Sequence, residues 1–231
     1  MMKKNLKREI ITTGDGSSTI HLPDINEQYH SRHGAINEAK HVFIKEGFDH
    51  VLNTSSSETL DILEIGFGTG LNAFITFLEA EKVKQKVNYV GVEAYPVSLE
   101  EAQLMNYPET LQVAEQKKIF DVLHQNEWET SQIISNNFSC TKRQQFFSEI
   151  EDVSSFNLIY FDAFGARVQP ELWTVRIFQK MYKALKINGV LVTYSAKGSV
   201  RRAMKEVGFD VERLPGPPGK REMLRATKLV N

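Results

Sequence analysis

The segment Asp61-Ile62-Leu63-Glu64-Ile65-Gly66-Phe67-Gly68-Thr69-Gly70-Leu71-Asn72 runs from an apolar stretch through three alternate glycines into a helical pattern. Gly66 and Gly68 let a backbone turn tightly and approach a ligand, and Gly70 lets the following helix pack on the strand. The third glycine comes one residue too early for the dinucleotide spacing GxGxxG, and an acid, Glu64, stands before the turn. The next apolar run, Val87 to Val92, ends in Glu93. An acid at the tip of that second strand accepts hydrogen bonds from both hydroxyls of a ribose. The glycines alone do not separate a phosphate-bearing nucleotide from a nucleoside cofactor without phosphate.

A second candidate centre follows the run FNLIYF (Phe156 to Phe161), which ends in Asp162-Ala163-Phe164-Gly165. A carboxylate at the carboxyl end of such a strand can accept a hydrogen bond from an amine, orient its lone pair and stabilise the cation that forms. The plainer role is a helix cap for the segment opened by Pro170, or a partner for a basic neighbour. His30 and His33 have no companions at metal-ligand spacing, so no metal is expected. SAKGS after a later strand is not the GxSxG elbow of Ser/His/Asp hydrolases.

These residues need a scaffold, and the pattern supplies one. Ile10 to Thr13 and Thr19 to Leu22 flank Gly14-Asp15-Gly16 as a hairpin, and Glu38 to Phe48 reads as a helix. Strands are predicted at Leu60 to Ile65, Val87 to Val92, Gln145 to Phe147 (weak), Phe156 to Phe161 and Val190 to Tyr194. Helices are predicted at Leu71 to Glu81, Val97 to Met105, Pro170 to Leu185 (ended by Asn188-Gly189) and Ser199 to Val207. Residues 109–137 read as mixed helix anchored by Phe120, Val122, Leu123, Ile133 and Ile134. Phe209 to Leu214 and Glu222 to Leu229, joined by PGPPGKR, form a closing hairpin. Alternating strands and helices predict an α/β fold, a mostly parallel doubly wound sheet with an antiparallel C-terminal edge hairpin. Residues 1–50 are expected to form a small N-terminal β/α extension and 51–231 the main domain.

The 231 residues, 41% hydrophobic and 25% charged, suffice for a sizeable core without cross-links. The single cysteine, Cys140, rules out an intramolecular disulfide and fits a reducing compartment. No apolar run reaches membrane-spanning length, and MMKKNLKREI lacks a signal-peptide core, so no membrane and a cytoplasmic location are expected. Net charge is −1, yet Lys197 to Lys228 holds nine basic against four acidic residues, and Lys3, Lys4, Lys7 and Arg8 open the chain without an acid. That asymmetry suggests either a face for phosphates or an ordinary solvated surface.

The stretches EQYHSRHGAINEAKHVFI, EIGFGTGLN, FDAFGARVQPELWT, TYSAKGSVRRAMKEVGF and LPGPPGKREMLRA together resemble one family across essentially the whole chain. It is the methyltransferase family that completes 5-methylaminomethyl-2-thiouridine in tRNA, as the stand-alone MnmD or the N-terminal half of bifunctional MnmC. The resemblance implies a class I Rossmann-like methyltransferase fold, S-adenosyl-L-methionine as cofactor, and methylation of 5-aminomethyl-uridine at the tRNA wobble position. It places Asp162 beside the amine as the catalytic carboxylate. It assigns the cofactor to Glu64, Gly66, Gly68, Gly70, Asn72, Glu93 and Tyr29, with Glu149 the acid nearest the place where the family has Gly-Asp. Phe164, Arg201, Arg202, Lys220 and Arg221 are expected to meet substrate and the anticodon region of tRNA. Phe67 and Trp173 read as core aromatics before stacking platforms. Where the family usually has Phe-Ala-Pro, this chain has Phe164-Gly165-Ala166. The bifunctional members carry a flavin oxidase half, and no flavin domain is expected in this chain. An aminopropyltransferase of the spermidine-synthase type, expected to carry an Asp inside the glycine turn, a methyltransferase for another amine, and a silent binding module are the alternatives.

Overall fold

The computed structural model describes residues 6–230; the expected basic residues Lys3 and Lys4 lie outside them. A small antiparallel sheet comes first: β1 (Glu9–Thr12), β2 (Ser18–Leu22) and β3 (Glu27–Gln28), in that order. One helical stretch follows, α1 (Ala35–Ala39), a π-helical segment (Lys40–Asp49) and α2 (His50–Thr54). It runs past residue 50 and lies against the large sheet. Gly47 is the contact point, since a Cβ there would sit 3.0 Å from Val192 and 3.2 Å from Tyr160.

The large sheet begins with β4 (Thr59–Ile65), followed by α3 (Leu71–Val83) and β5 (Lys86–Val92). Three short helices come next, α4 (Leu99–Gln103), α5 (Tyr107–Thr110) and α6 (Lys117–Gln125), then β6 (Ser131–Ile133) and β7 (Phe138–Arg143). The remaining elements are β8 (Phe156–Phe161), α7 (Val175–Ala184), β9 (Leu185–Thr193), α8 (Gly198–Val207), β10 (Asp210–Pro215) and β11 (Glu222–Thr227). Strand order is β10-β11-β9-β8-β4-β5-β7-β6. From β9 to β7 all neighbours are parallel, while β11 is antiparallel to both β9 and β10. At this end the reversed strand is therefore β11, inserted one place inside the edge, and β10 outside it regains the direction of the parallel strands; at the other edge β6 is antiparallel to β7.

The pleat divides the core in two. Successive side chains of a strand point to opposite faces. Leu60, Ile62, Leu158 and Tyr160 therefore pack with the 35–54 helix and α3, and Leu63, Ile65, Ile159 and Phe161 pack with α7 and α8. Burial on both faces is why β4 and β8 read as near-continuous apolar runs. Helix α7 turns Ile177, Phe178, Met181 and Ala184 inward, a one-sided stripe at helical spacing. Among the described residues, no helix is long and apolar enough to cross a membrane.

Three local expectations are corrected. Gln145 to Phe147 is not a strand; the ladder beside β5 is β7, whose alternate residues Ser139, Thr141 and Arg143 conceal its buried face of Phe138, Cys140 and Lys142. Within 109–137, Ile133 is 85% exposed on β6 and anchors nothing, whereas Phe120 and Leu123 are fully buried on α6. The helix expected from Pro170 starts as a 3-10 turn (Pro170–Trp173), and Asn188-Gly189 does not end it. Helix α7 stops at Ala184, and Asn188, in left-handed backbone at φ 62°, lies in the irregularity where β9 pairs β8.

Candidate active site

Chain order makes the site. After β4 the chain moves outward to β5 and β7, then returns to lay β8 on the other side of β4. The loops leaving β4 and β8 part in opposite directions there, and a crevice opens at the strands' carboxyl ends. Gly66, at φ +93°, starts the turn, and its amide and that of Phe67 donate to the Val92 carbonyl at 2.9 and 3.1 Å. A Cβ on Gly66 would stand 2.8 Å from the Asp162 carbonyl oxygen, so the two loops touch at this residue.

Glu93, just past β5, accepts hydrogen bonds from the amides of Gly68 (3.1 Å) and Tyr95 (2.9 Å), which fix its carboxylate against the glycine turn. Burial raises its pKa above the ordinary value, opposed by these backbone donors. Asn72, in the first turn of α3, places one amide nitrogen between two acids. Its Nδ2 donates at 2.9 Å both to Glu64 Oε1 and to Asp162 Oδ2. Glu64 is 1% exposed, and burial drives its carboxyl well above the usual range. Burial also pushes Asp162 up to about 7; the negative charge of Glu38 adds to the rise, while the Asn72 hydrogen bond and Lys220 oppose it.

These groups face a cavity of about 440 Å³, within the range that holds nucleoside-sized ligands. Glu64, Gly66, Gly68, Asn72 and Glu93 line one side, Asp162 and Phe164 another, with Tyr29 and His30 across from them. Tyr29 lies over the turn: a Cβ on Gly68 would be 3.2 Å from its ring, which also meets Phe164 edge-on at 5.0 Å. His30 is tied to Thr19 at 2.9 Å, and burial pushes its imidazole down to about 4, so it stays neutral. Phe67 and Trp173 are 3% and 5% exposed and belong to the core, as their pattern indicated; Phe67 also borders the cavity.

Not every expected residue reaches the cavity. Gly70 starts α3 behind it. Glu149 is exposed, and its Oε2 accepts the Phe146 amide at 2.9 Å in a 3-10 turn; its neighbours Phe146, Phe147 and Ser148 line the cavity instead. Arg201 and Arg202 lie on α8 and Arg221 on the β10–β11 loop, all outside the lining. Lys220 is not a free arm: it pairs with Glu38 and lies 3.8 Å over the Tyr194 ring. Four of the nine basic residues near the C-terminus are engaged with acids or carbonyls within the protein, namely Arg213, Lys220, Arg225 and Lys228.

Sequence reasoning missed Arg8 as a wall of the cavity. Arg8 pairs with Glu101 at 2.7 Å, reaches the Tyr95 carbonyl and lies 6.0 Å over the Tyr29 ring. Its only signal was membership of a basic N-terminal cluster. Glu38, whose charge acts on Asp162 from a distant helix, and Tyr194, which bonds the Ala163 carbonyl from the end of β9, gave no local signal. Among the described residues, no three His, Cys, Asp or Glu side chains converge as metal ligands.

The cradle suits a nucleoside donor without phosphates: a carboxylate for hydroxyls, glycines under a flat aromatic ring, and a second acid across the crevice. A doubly wound sheet with that arrangement defines the class of Rossmann-like transferases. The family model described as S-adenosyl-L-methionine-dependent methyltransferase matches residues 109–229, and the chain belongs to that family. S-adenosylmethionine is accordingly its cofactor. Two relatives bear the name tRNA 5-methylaminomethyl-2-thiouridine biosynthesis bifunctional protein MnmC. That of Leptospira interrogans is 30% identical over 224 residues (88% of this chain, 33% of that protein), and that of Polaromonas naphthalenivorans is 26% identical over 227 (94% and 35%). The chain thus spans about a third of the length of these curated relatives. The fold is that of the crystal structure of MNMC2 from Aquifex aeolicus (TM-score 0.75, 21% identity, covering 98% of this chain and 72% of that one). Spermidine synthase from Thermotoga maritima shares it more distantly (TM-score 0.54, 14% identity, 100% and 84%).

Proposed function

We propose that this methyltransferase acts on the primary amine of 5-aminomethyl-(2-thio)uridine at the wobble position of tRNA, giving the 5-methylaminomethyl product. The observation that carries the reading is the Asp162 carboxyl, held by Asn72 at the cavity wall and poised at about 7 by its surroundings. An aminomethyl group reaches the protein largely as an ammonium, which has no lone pair to offer. Ionised Asp162 accepts its proton, or a hydrogen bond from it, and leaves the nitrogen lone pair free for attack. Asn72 fixes the carboxylate so that its other oxygen is available to the amine. Gly66, Gly68 and Glu93 would hold the cofactor, and Tyr29 and Phe164, which meet edge-on at the cavity wall, would stack the uridine. When bound, the cofactor would supply an electrophilic methyl on a sulfonium, with a neutral thioether as leaving group and a secondary ammonium as product on the nitrogen. Positioning and exclusion of water account for most of the rate, because the leaving group needs no protonation.

The names of the MnmC relatives support this substrate, as do the exposed cations Lys197, Arg202, Lys205 and Arg221 for a phosphate backbone. Aminopropyl transfer shares the fold but lacks the family match. The test is to incubate tRNA lacking this methyl with methyl-labelled S-adenosylmethionine. Label at the wobble uridine is expected. Label on a polyamine or other small amine, or none on tRNA, would overturn the reading.

A further inference from the structure

We propose that the Glu38–Lys220 ion pair, seated on the Tyr194 ring, is a positioning element of the reaction centre whose ammonium and carboxylate act on Asp162 in opposite senses. The proposal rests on the reading of Asp162 as the group that receives the amine. Glu38 comes from α1, with a side chain 9% exposed, and Lys220 from the β10–β11 loop, with 31%. The two are 182 residues apart in sequence and make a close ion pair. Glu38 is held from its other oxygen by the Ser31 amide at 2.9 Å. The Lys220 ammonium lies 3.8 Å from the centroid of the Tyr194 ring, just past β9. The Tyr194 hydroxyl donates at 2.8 Å to the carbonyl of Ala163, the residue after Asp162. Contacts therefore run from Lys220 through Tyr194 to the carbonyl of Ala163, next in the chain to the reacting acid, and tie the segments of Glu38 and Lys220 to the loop that leaves β8.

A strap between two segments needs no particular place on the surface. This one is half-buried, where a charge is costly unless paired, and Tyr194 links it to the loop that carries the acid on which the chemistry depends. The groups that face Asp162 come from every element around it: Asn72 from α3, Glu64 from β4, Tyr194 beyond β9, Glu38 and Lys220. Glu27 also acts on Tyr194. Of these only Lys220 is cationic. Lys220 favours the ionised carboxylate and Glu38 the protonated acid, so the pair sets the pH at which Asp162 can take a proton.

The two partners should then be separable by charge. In cofactor-free protein, the Asp162 carboxyl is titrated by carbon-13 NMR, assigned with Asp162→Asn, and the pH dependence of methyl transfer is measured in parallel. Lys220→Met should move the Asp162 titration and the acid limb of the rate upward by about one pH unit, the size of effect expected from a charged neighbour. Glu38→Gln should move both downward, and Lys220→Arg should restore the wild-type curve. Should Lys220→Met fail to fold, Lys220→Gln, which keeps a donor for Glu38, is read in the same way. Shifts in the same direction for the two partners, or equal losses of thermal stability with an unmoved titration, would overturn the proposal. If tRNA is not methylated at all, the functional reading fails while the NMR titration still decides this inference.

Discussion

Asp162 carries the chemistry and bears the cost of its position. Burial pushes its carboxyl up to about 7, far above the usual aspartate range, so the fold favours the protonated acid. The stabilising contribution of that proton is complete below the unfolded value and is lost as pH rises through the folded one. Asp162→Asn should therefore raise the melting temperature at pH 8, with the gain vanishing towards pH 4; an equal gain at both values would show that the effect is not titration. The same substitution should leave cofactor affinity within about twofold by calorimetry and abolish methyl transfer, since binding and proton acceptance lie on different residues. Asn72 is the support. Replacing Asn72 with Ala removes a hydrogen bond to the ionised form and should move the acid limb of the rate upward while lowering kcat more than it raises KM for the cofactor. A change confined to that KM would return Asn72 to the cofactor-binding role that its place in the sequence suggests.

At the scale of elements, the β4–α3 turn couples cofactor and acid. Gly66 occupies left-handed backbone, and its missing side chain is where the Asp162 carbonyl sits 2.8 Å from any added Cβ. Gly66→Ala combines backbone strain with that clash and should destabilise the protein by about 1–3 kcal/mol, while also displacing Asp162. The check is a denaturant titration alongside cofactor binding; unchanged stability and affinity would mean the turn relaxes freely. The turn was legible in the sequence because glycine spacing and the acid at the next strand end are local consequences of backbone sterics. The Glu149 contact was not legible. Its segment is a 3-10 turn in which the Glu149 carboxylate caps the Phe146 amide and the neighbouring Phe147 points inward. No spacing rule distinguishes the residue that caps such a turn from the one that lines the cavity.

At the scale of the molecule, charge and topology decide what the surface can bind. The C-terminal segment looked strongly basic, yet Arg213, Lys220, Arg225 and Lys228 are spent on contacts within the protein. Exposed Arg202 and Arg221 remain free of such partners among the described residues. Changing both to Ala should weaken tRNA binding and reduce the salt slope, log K against log salt, by up to about 2; an identical slope would remove them from the phosphate interface. The sequence by itself determined the strands β4, β5, β8 and β9, the glycine turn, and the two acids at strand ends, because each follows from burial or backbone sterics within a few residues; β6 and β7 it did not. Only the tertiary structure decided that β11 enters the sheet one place inside the edge, that Arg8 walls the cavity, and that Glu38 and Lys220 meet on the Tyr194 ring, where both charges act on Asp162. Those facts depend on which distant segments share a sheet end, and a carboxylate's pKa depends on every charge brought near it, whatever the separation along the chain.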